Sequence, residues 1–520
     1  MKLARALGSI GGLTLASRIL GLVRDSLFAR YVGAGFASDA FFVAFRLPNM
    51  FRALFAEGAF SAAFVPMFSK KVAEHGDDVK PGLAFAEEAL SVLLPILIVM
   101  TIVMEVFAVP VVWALTFGFN GVSSSQFATA VEFSRITFPY LLMISLVSLM
   151  GGILNSLGRY WVNAAAPILL NATLIVALLF FHIPGDAIAT ARVQAIAVLI
   201  SGALQLLWLI FACRRAGVAL RLRLPRLSID VRRLLKLIGP AAAGAGAVQI
   251  NLVVSTALAA SLLPSGSVSY IYYADRLNQL PLGLIGIGLG TVLLPTITRL
   301  LGKGEEAQAM ETQNRGVELA LLLTLPATVA LVTCGIPIVA ALFQHGAFTA
   351  QDTVMCARAL AAFSVGLPAY ILVKVLTPGF YARHDTRTPV RYATWAIGVN
   401  LVLNLALIVP LQQMGPPLAT AIASWVNVVL LYLSLRRRGH FVADARLVRR
   451  LGRLTLAAAA MGVALWFGAD GLAPYTTGNR FERTASMIVL VGGGGLVYLA
   501  AAFAFRAFSL TDLRGLLRRS

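Results

Sequence analysis

Apolar residues in this chain come in long blocks, each about the length of a bilayer, separated by short polar or basic stretches. A helix needs about 20 mostly apolar residues to cross a membrane. The blocks predict about fourteen such spans, at roughly 7–31, 40–68, 89–117, 126–154, 161–181, 190–212, 232–262, 267–299, 316–343, 353–381, 390–410, 416–435, 451–469 and 484–508. Several carry proline inside, notably Pro48, Pro139, Pro240, Pro281 and Pro368. Proline weakens a helix locally and is tolerated where a neighbour or a cavity satisfies the freed backbone groups. The segment Met1–Arg30 reads as the first span. Arg18, Arg24 and Asp25 interrupt its apolar run, which is not the pattern of a cleavable signal.

Composition agrees with the pattern: 59% of the 520 residues are hydrophobic and 13% are charged. Soluble domains are nearer 45–50% apolar and about 25% charged. A soluble enzyme, a disordered chain and an outer-membrane barrel are all disfavoured, the barrel because its alternating strands do not raise mean hydropathy so far. An all-α integral membrane protein is left. Cys213, Cys334 and Cys356 and the five histidines are scattered, so neither a disulfide framework nor a metal cluster is expected.

Charge changes the picture more. Lys and Arg number 43 against 23 Asp and Glu, a net of +20. Most of the excess sits in alternate connections. Lys70, Lys71 and Lys80, then Arg159, then Arg214 to Arg226, then Arg299 and Lys303, then Arg383 to Arg391, then Arg436 to Arg453 mark one side. The intervening loops carry neither Lys nor Arg, except the last, with Arg480 and Arg483. Basic residues near span ends mark the cytoplasmic side. Both termini are therefore expected to be cytoplasmic, with an even number of spans. The basic loops set topology and meet lipid headgroups; nucleic acid is not an expected partner.

The chain also repeats itself. FFVAFRLPN at 41–49 compares with YIYYADRLNQ at 270–279, setting Arg46 against Arg276. Pro66 compares with Pro295, VPVVWALTFG at 109–118 with IPIVAALFQHG at 336–346, and Pro139 and Asn171 with Pro368 and Asn400. These matches share a nearly constant offset of about 227–230 residues. A six-span unit repeats in the same orientation. The expected organisation is a lobe at 1–215, a second at 216–440 and two further helices at 441–520. Transporters built so carry substrate near the membrane midplane, where their repeats meet.

The remaining charges lie inside spans. Each costs about 2.5–3.5 kcal/mol at a helix centre if it faces lipid. Arg18 and Asp25 share a stripe of the first span, with Gly21 between. Asn49 and Arg52 lie on one face just after Pro48. Asp275 and Arg276 are adjacent, with Asn278 and Gln279 a turn on. The plain structural reading is ion pairing, Arg24 with Asp25, Arg52 with Glu57 and Arg276 with Asp275. Basic residues outnumber acids, however, and Arg18 or Arg24, Arg46, Arg52, Arg276 and Lys374 cannot all be neutralised internally. Such a surplus suits an anionic ligand, because guanidinium forks match diphosphate oxygens. Arg30, Arg135 and Arg358 are expected to snorkel. GLIGIGLG at 283–290 and GGGG at 492–495 lack the context of a nucleotide loop and read as close helix packing.

SRILGLVRD at 17–25, SDAFFVAFRLPNMFRALFAEGAFSAAFVP at 38–66, YADRL at 273–277 and YARHDTRTP at 381–389 resemble the MurJ/MviN family of bacterial lipid II flippases, over nearly the whole chain. The resemblance implies the MOP superfamily fold, with a hydrophobic groove formed by the two C-terminal helices. It implies movement of an undecaprenyl-diphosphate-linked peptidoglycan precursor from the inner to the outer leaflet of the cytoplasmic membrane. It places substrate-binding arginines at Arg18, Arg24, Arg52 and Arg276, an acidic partner at Asp25 and an acidic outer-gate position at Asp39. Asn49, Glu57, Asp275 and Lys374 are expected to support the cavity. Some members are thought to use sodium; Asp385 falls in that motif region, but its other ligands cannot be placed here. No cofactor is expected beyond a coupling ion or the membrane potential, and other cell-wall synthesis proteins are candidate partners. The alternatives are an exporter of another polyprenyl-linked glycan, which would share the arginines, and a drug exporter, which should have an acidic cavity. A membrane enzyme would need a carboxylate or metal cluster near one face, and the short loops hold none.

Overall fold

The computed structural model describes residues 2–53, 59–76, 78–119, 121–476 and 478–507. Among them there are helices and no strands. The chain divides into two compact units, Met1–Ser269 and Tyr270–Ser520.

The first unit contains α1 (Lys2–Val32), α2 (Phe36–Arg52), α3 (Ala59–Ala73), α4 (Val79–Val106), α5 (Ala108–Thr116), α6 (Ser124–Thr137), α7 (Tyr140–Ser156), α8 (Tyr160–Phe180), α9 (Ala187–Arg215) and α10 (Ile229–Leu262). Helix starts are fixed by short polar side chains that accept from otherwise unpaired backbone N–H groups. Asp78 caps α4, Ser123 caps α6, Asp186 caps α9 and Ser228 caps α10. α1 packs along α8, α8 against α9, and α2 against α6. Aromatic rings fill the interior: Phe28 lies 4.9 Å from Phe41, and Phe64 lies 5.5 Å from Phe85. By contacts α10 belongs here, on α3 and α5, although the repeat assigns it to the following helices.

The expected span at 40–68 is described as α2 and α3, and Asp39 lies in the first turn of α2 rather than in a loop. The span at 126–154 breaks at Pro139, which precedes α7. Pro48 stays inside α2. Its missing N–H would leave the carbonyl four residues back, Ala44, without its helical donor. The Thr137 hydroxyl of α6 donates to Ala44 O at 2.9 Å, and also lies 3.1 Å from Ser134 O. A neighbouring helix thus satisfies the group that the proline exposes.

The second unit contains most of α11 (Ser267–Gly302), then α12 (Glu306–Thr333), α13 (Gly335–Phe343), α14 (Ala350–Ser364), α15 (Leu367–Tyr381), α16 (Arg387–Leu411), α17 (Gly415–Arg437), α18 (Ala445–Gly471), α19 (Ala473–Thr476) and α20 (Arg480–Ala504). Its core joins Leu289, Leu293, Ile371, Val375, Phe380, Leu431 and Leu435. α18 lies against α12, and α20 lies against α18. The Tyr498 hydroxyl of α20 donates to Leu322 O at 2.8 Å.

The repeat is visible helix by helix. α4 and α12 both have 28 residues, and α5 and α13 both have 9. α6 and α14 have 14 and 15 residues and end at a short break, with Pro139 just before α7 and Pro368 in the first turn of α15. α18 to α20 have no counterpart in the first unit. Nine helical stretches among the described residues are long and apolar enough to cross a membrane, with shorter apolar helices at Gln249–Leu262 and Val292–Gly302. Length and apolarity alone therefore return fewer spans than the fourteen expected.

Candidate functional site

In the first unit Arg24 and Asp25 of α1 are built into a polar clamp. Arg24 and Asp25 are 6% and 2% exposed. An isolated buried charge is costly, so a pair survives only with good geometry and further hydrogen bonds. Both are present. Arg24 Nε and Nη2 donate to Asp25 Oδ1 at 3.0 and 2.6 Å. Arg24 Nη1 donates to Asn171 Oδ1 of α8 at 3.1 Å. Asn171 Nδ2 donates in turn to Ser17 O at 2.9 Å. Gly21 sits over this amide: a Cβ there would lie 3.7 Å from Asn171 Nδ2. Arg18 is half-buried, two turns before Asp25 on the same helix.

On α2, Arg52 Nε donates to Asn49 Oδ1 at 3.0 Å. The i,i+3 spacing after Pro48 thus brings the two together as the sequence predicts. Arg46 Nη2 donates to Leu252 O of α10 at 3.2 Å. Asp39 is buried and accepts from Gly266 N at 2.6 Å, Ser269 N at 2.8 Å and Ser269 Oγ at 2.5 Å. Ser269 Oγ is also 2.8 Å from Ser38 Oγ. The carboxylate fastens the turn that ends the first unit. Glu57 lies outside the described residues.

In the second unit, Gln279 Nε2 donates to Asp275 Oδ2 at 2.5 Å. The Arg276 guanidinium lies 5.6 Å from the centroid of the Tyr272 ring, a cation–π distance. Lys374 of α15 is exposed, and its ammonium occupies room left by Gly286: a Cβ there would fall 2.8 Å from Nζ. Asp385, in the turn before α16, accepts from Thr388 N at 3.0 Å and from Arg438 Nη1 at 2.7 Å. Hydrogen bonds from Thr388, with Arg438 beside them, lower its pKa to about 2. Among the described residues no group of three or more His, Cys, Asp or Glu side chains converges.

Other polar devices were not legible as partners in the sequence. Glu318 of α12, largely buried, holds Arg315 and Arg450, with Arg446 at 3.6 Å, and Arg315 also pairs with Asp444. This cluster fastens the start of α18 to α12. Arg483, an exception to the loop-charge pattern, donates to Gln344 O at 2.5 Å and Gly478 O at 2.8 Å. It meets a carbonyl at the C-terminal end of α13, where cations are favoured. In the glycine run of α20, a Cβ on Gly494 would lie 2.6 Å from Leu465 Cδ2, whereas Gly492, Gly493 and Gly495 meet nothing within 4 Å.

Helices repeated in matching order, apolar enough to cross a bilayer yet holding a buried arginine at Arg24, define a multi-pass membrane transporter with an internal repeat. A solved multidrug resistance MATE family transporter of the MOP superfamily, in an inward-facing conformation, matches with TM-score 0.63 at 18% identity, covering 81% of this chain and 94% of that chain; the likeness is one of fold. The family model described as lipid II flippase MurJ matches residues 28–485, and the chain belongs to that family. The probable lipid II flippase MurJ of Rhizobium meliloti (strain 1021) is 42% identical over 522 residues, covering 100% of this chain and 97% of the relative. A solved lipid II flippase MurJ in an inward closed conformation matches with TM-score 0.78 at 26% identity, covering 96% of this chain and 98% of that chain.

Proposed function

We propose that this protein is a lipid II flippase, moving the undecaprenyl-diphosphate-linked peptidoglycan precursor from the inner to the outer leaflet of the bacterial cytoplasmic membrane. The observation that carries this reading is the family match over residues 28–485, with full-length relatives of the same description. The chemistry of the chain supports it, because an anionic diphosphate is the ligand that intramembrane arginine suits. Arg18, Arg24, Arg52 and Arg276 bind the diphosphate-sugar head, each by charge-assisted hydrogen bonds. Asp25 and Asn49 orient the arginines beside them, and Glu57, Asp275 and Lys374 support the cavity. Asp39 acts at the outer gate, closing and releasing the turn at Gly266–Ser269. The lipid tail stays in the bilayer, along α18 and α20.

The two repeats, 1–215 and 216–440, alternate access to the two leaflets, and residues 441–520 serve the tail. Both termini lie in the cytoplasm. The membrane potential or a coupled ion drives the return, each charge moved being worth about 2.3 kcal/mol per 100 mV. The chain carries out transport rather than catalysis, and its partners are lipid II, membrane lipids and other cell-wall synthesis proteins. The test is to deplete the protein in its host and measure which leaflet holds lipid II. Inner-leaflet accumulation, reversed by re-expression, is expected. Accumulation of a different lipid-linked glycan, with lipid II still reaching the outer leaflet, would replace this reading by the other-glycan exporter.

A further inference from the structure

The connection between α9 and α10 has no helix or strand from Val218 to Leu227, yet it is held firmly. Glu87 of α4, 5% exposed, accepts from Arg221 N at 3.0 Å and pairs with Arg223 at 2.5 Å. Ser228 Oγ donates to Glu88 Oε2 at 2.6 Å, and Lys71 pairs with Asp230 at 2.7 Å. These bonds hold one side of the segment to the first unit. The residues between the anchored ones point away. Leu222 is 74% exposed, Leu224 82%, Leu227 56% and Ile229 86%. Arg226, Arg232 and Arg233 beside them are exposed as well.

Large aliphatic side chains scattered singly on a surface need no explanation; a contiguous group rimmed by arginine marks an interaction site. The position of the group decides what it meets. The segment begins where α9, a helix long and apolar enough to cross a membrane, ends at Arg215, and it leads into α10 at Ile229. Its charge is that of a cytoplasmic connection. Apolar side chains interleaved with arginine are the composition of a segment that lies in the membrane interface, and basic residues there are drawn to the anionic lipids of that leaflet.

We propose that residues 219–233 form an interfacial anchor for an anionic lipid surface. Leu222, Leu224, Leu227 and Ile229 enter the boundary between headgroups and acyl chains, while Arg226, Arg232 and Arg233 contact lipid phosphates. Glu87 fixes which side of the segment faces the lipid. This assignment does not depend on what the protein transports.

The test uses the full chain in nanodiscs. Cys213, Cys334 and Cys356 are buried, so Leu224→Cys or, separately, Leu227→Cys is labelled with an environment-sensitive nitrobenzoxadiazole dye. Unchanged elution on size exclusion confirms that each labelled protein is folded. With phosphatidylglycerol present, the emission at both positions is expected to shift to the blue and to be quenched by lipids carrying a nitroxide near the headgroup. Combining Arg226→Ala, Arg232→Ala and Arg233→Ala should reduce that quenching, as should discs of phosphatidylcholine alone. Water-like emission at both positions would overturn the proposal. So would a blue shift without quenching by lipid, which would mean that protein covers the leucines.

Discussion

Asn171 Oδ1 accepts from Arg24 Nη1 at 3.1 Å, so a side chain on α8 helps to hold a buried guanidinium of α1 that adjacent Asp25 neutralises. Removing one partner of a buried ion pair typically costs about 3–5 kcal/mol, whereas losing one hydrogen bond to a charged group costs about 1.5–3 kcal/mol. Asp25→Asn should therefore lower the melting temperature in detergent more than Asn171→Ala. The double variant Arg24→Met, Asp25→Asn should recover most of that loss, because no lone charge is left buried, yet it should not support growth of a depleted strain. Equal melting of Asp25→Asn and the parent would show that the pair contributes nothing.

Thr137 and Pro48 should be coupled. Thr137→Val keeps the shape and removes the donor to Ala44 O, with an expected cost of about 1–3 kcal/mol. In a Pro48→Ala background the new backbone N–H can serve that carbonyl, so the same substitution should cost much less. A double-mutant cycle by thermal unfolding measures the difference. Additive costs would mean that the hydroxyl does not replace the helical donor.

The glycine run of α20 gives a test of packing against composition. Gly494→Ala pushes a Cβ into Leu465 and should destabilise, overpacking costing about 1–3 kcal/mol. Gly492→Ala and Gly493→Ala meet open space and should hold or raise the melting temperature, since alanine favours a helix by roughly 0.5–1 kcal/mol over glycine. A loss of equal size at all three positions would contradict this contrast.

Asp385 makes a pH prediction. Its folded pKa, about 2, lies below the roughly 3.9 of an unperturbed aspartate, through the Thr388 and Arg438 bonds. A depressed carboxylate stabilises above its unfolded value, and the contribution fades as pH falls toward the folded value. The melting difference between the parent and Asp385→Asn should thus be constant from neutral pH down to about 5 and narrow progressively from about pH 4 toward about 2. A difference that changes between pH 6 and 8 would mean that another group, such as nearby His440, governs the contact.

Much of the architecture was readable because it is written in local pattern. The apolar blocks located the helices, and the repeated prolines and Asn171/Asn400 announced the matching units before α4 and α12, or α5 and α13, could be compared. Asn49 and Arg52 met because their spacing is a helical one. The distant partners were not readable. Asn171 and Arg24 are 147 residues apart, and Glu87 and Arg221 are 134 apart; periodicity in one sequence carries no information about such pairs. Arg483 was an anomaly under the topology rule, and the carbonyls of Gln344 and Gly478 that it meets are seen only in the fold. Gly494 differs from its neighbours only in facing Leu465, which composition cannot show.

The proposed function requires intramembrane arginine to move lipid II. The most direct measurement is the outer-leaflet content of lipid II in a depleted strain carrying Arg52→Ala or Arg276→Ala, with membrane levels of each variant matched to the parent. Lipid II is expected to stay in the inner leaflet with either variant and to reach the outer leaflet with the parent chain. Outer-leaflet lipid II at the parent's level in both variants would contradict it.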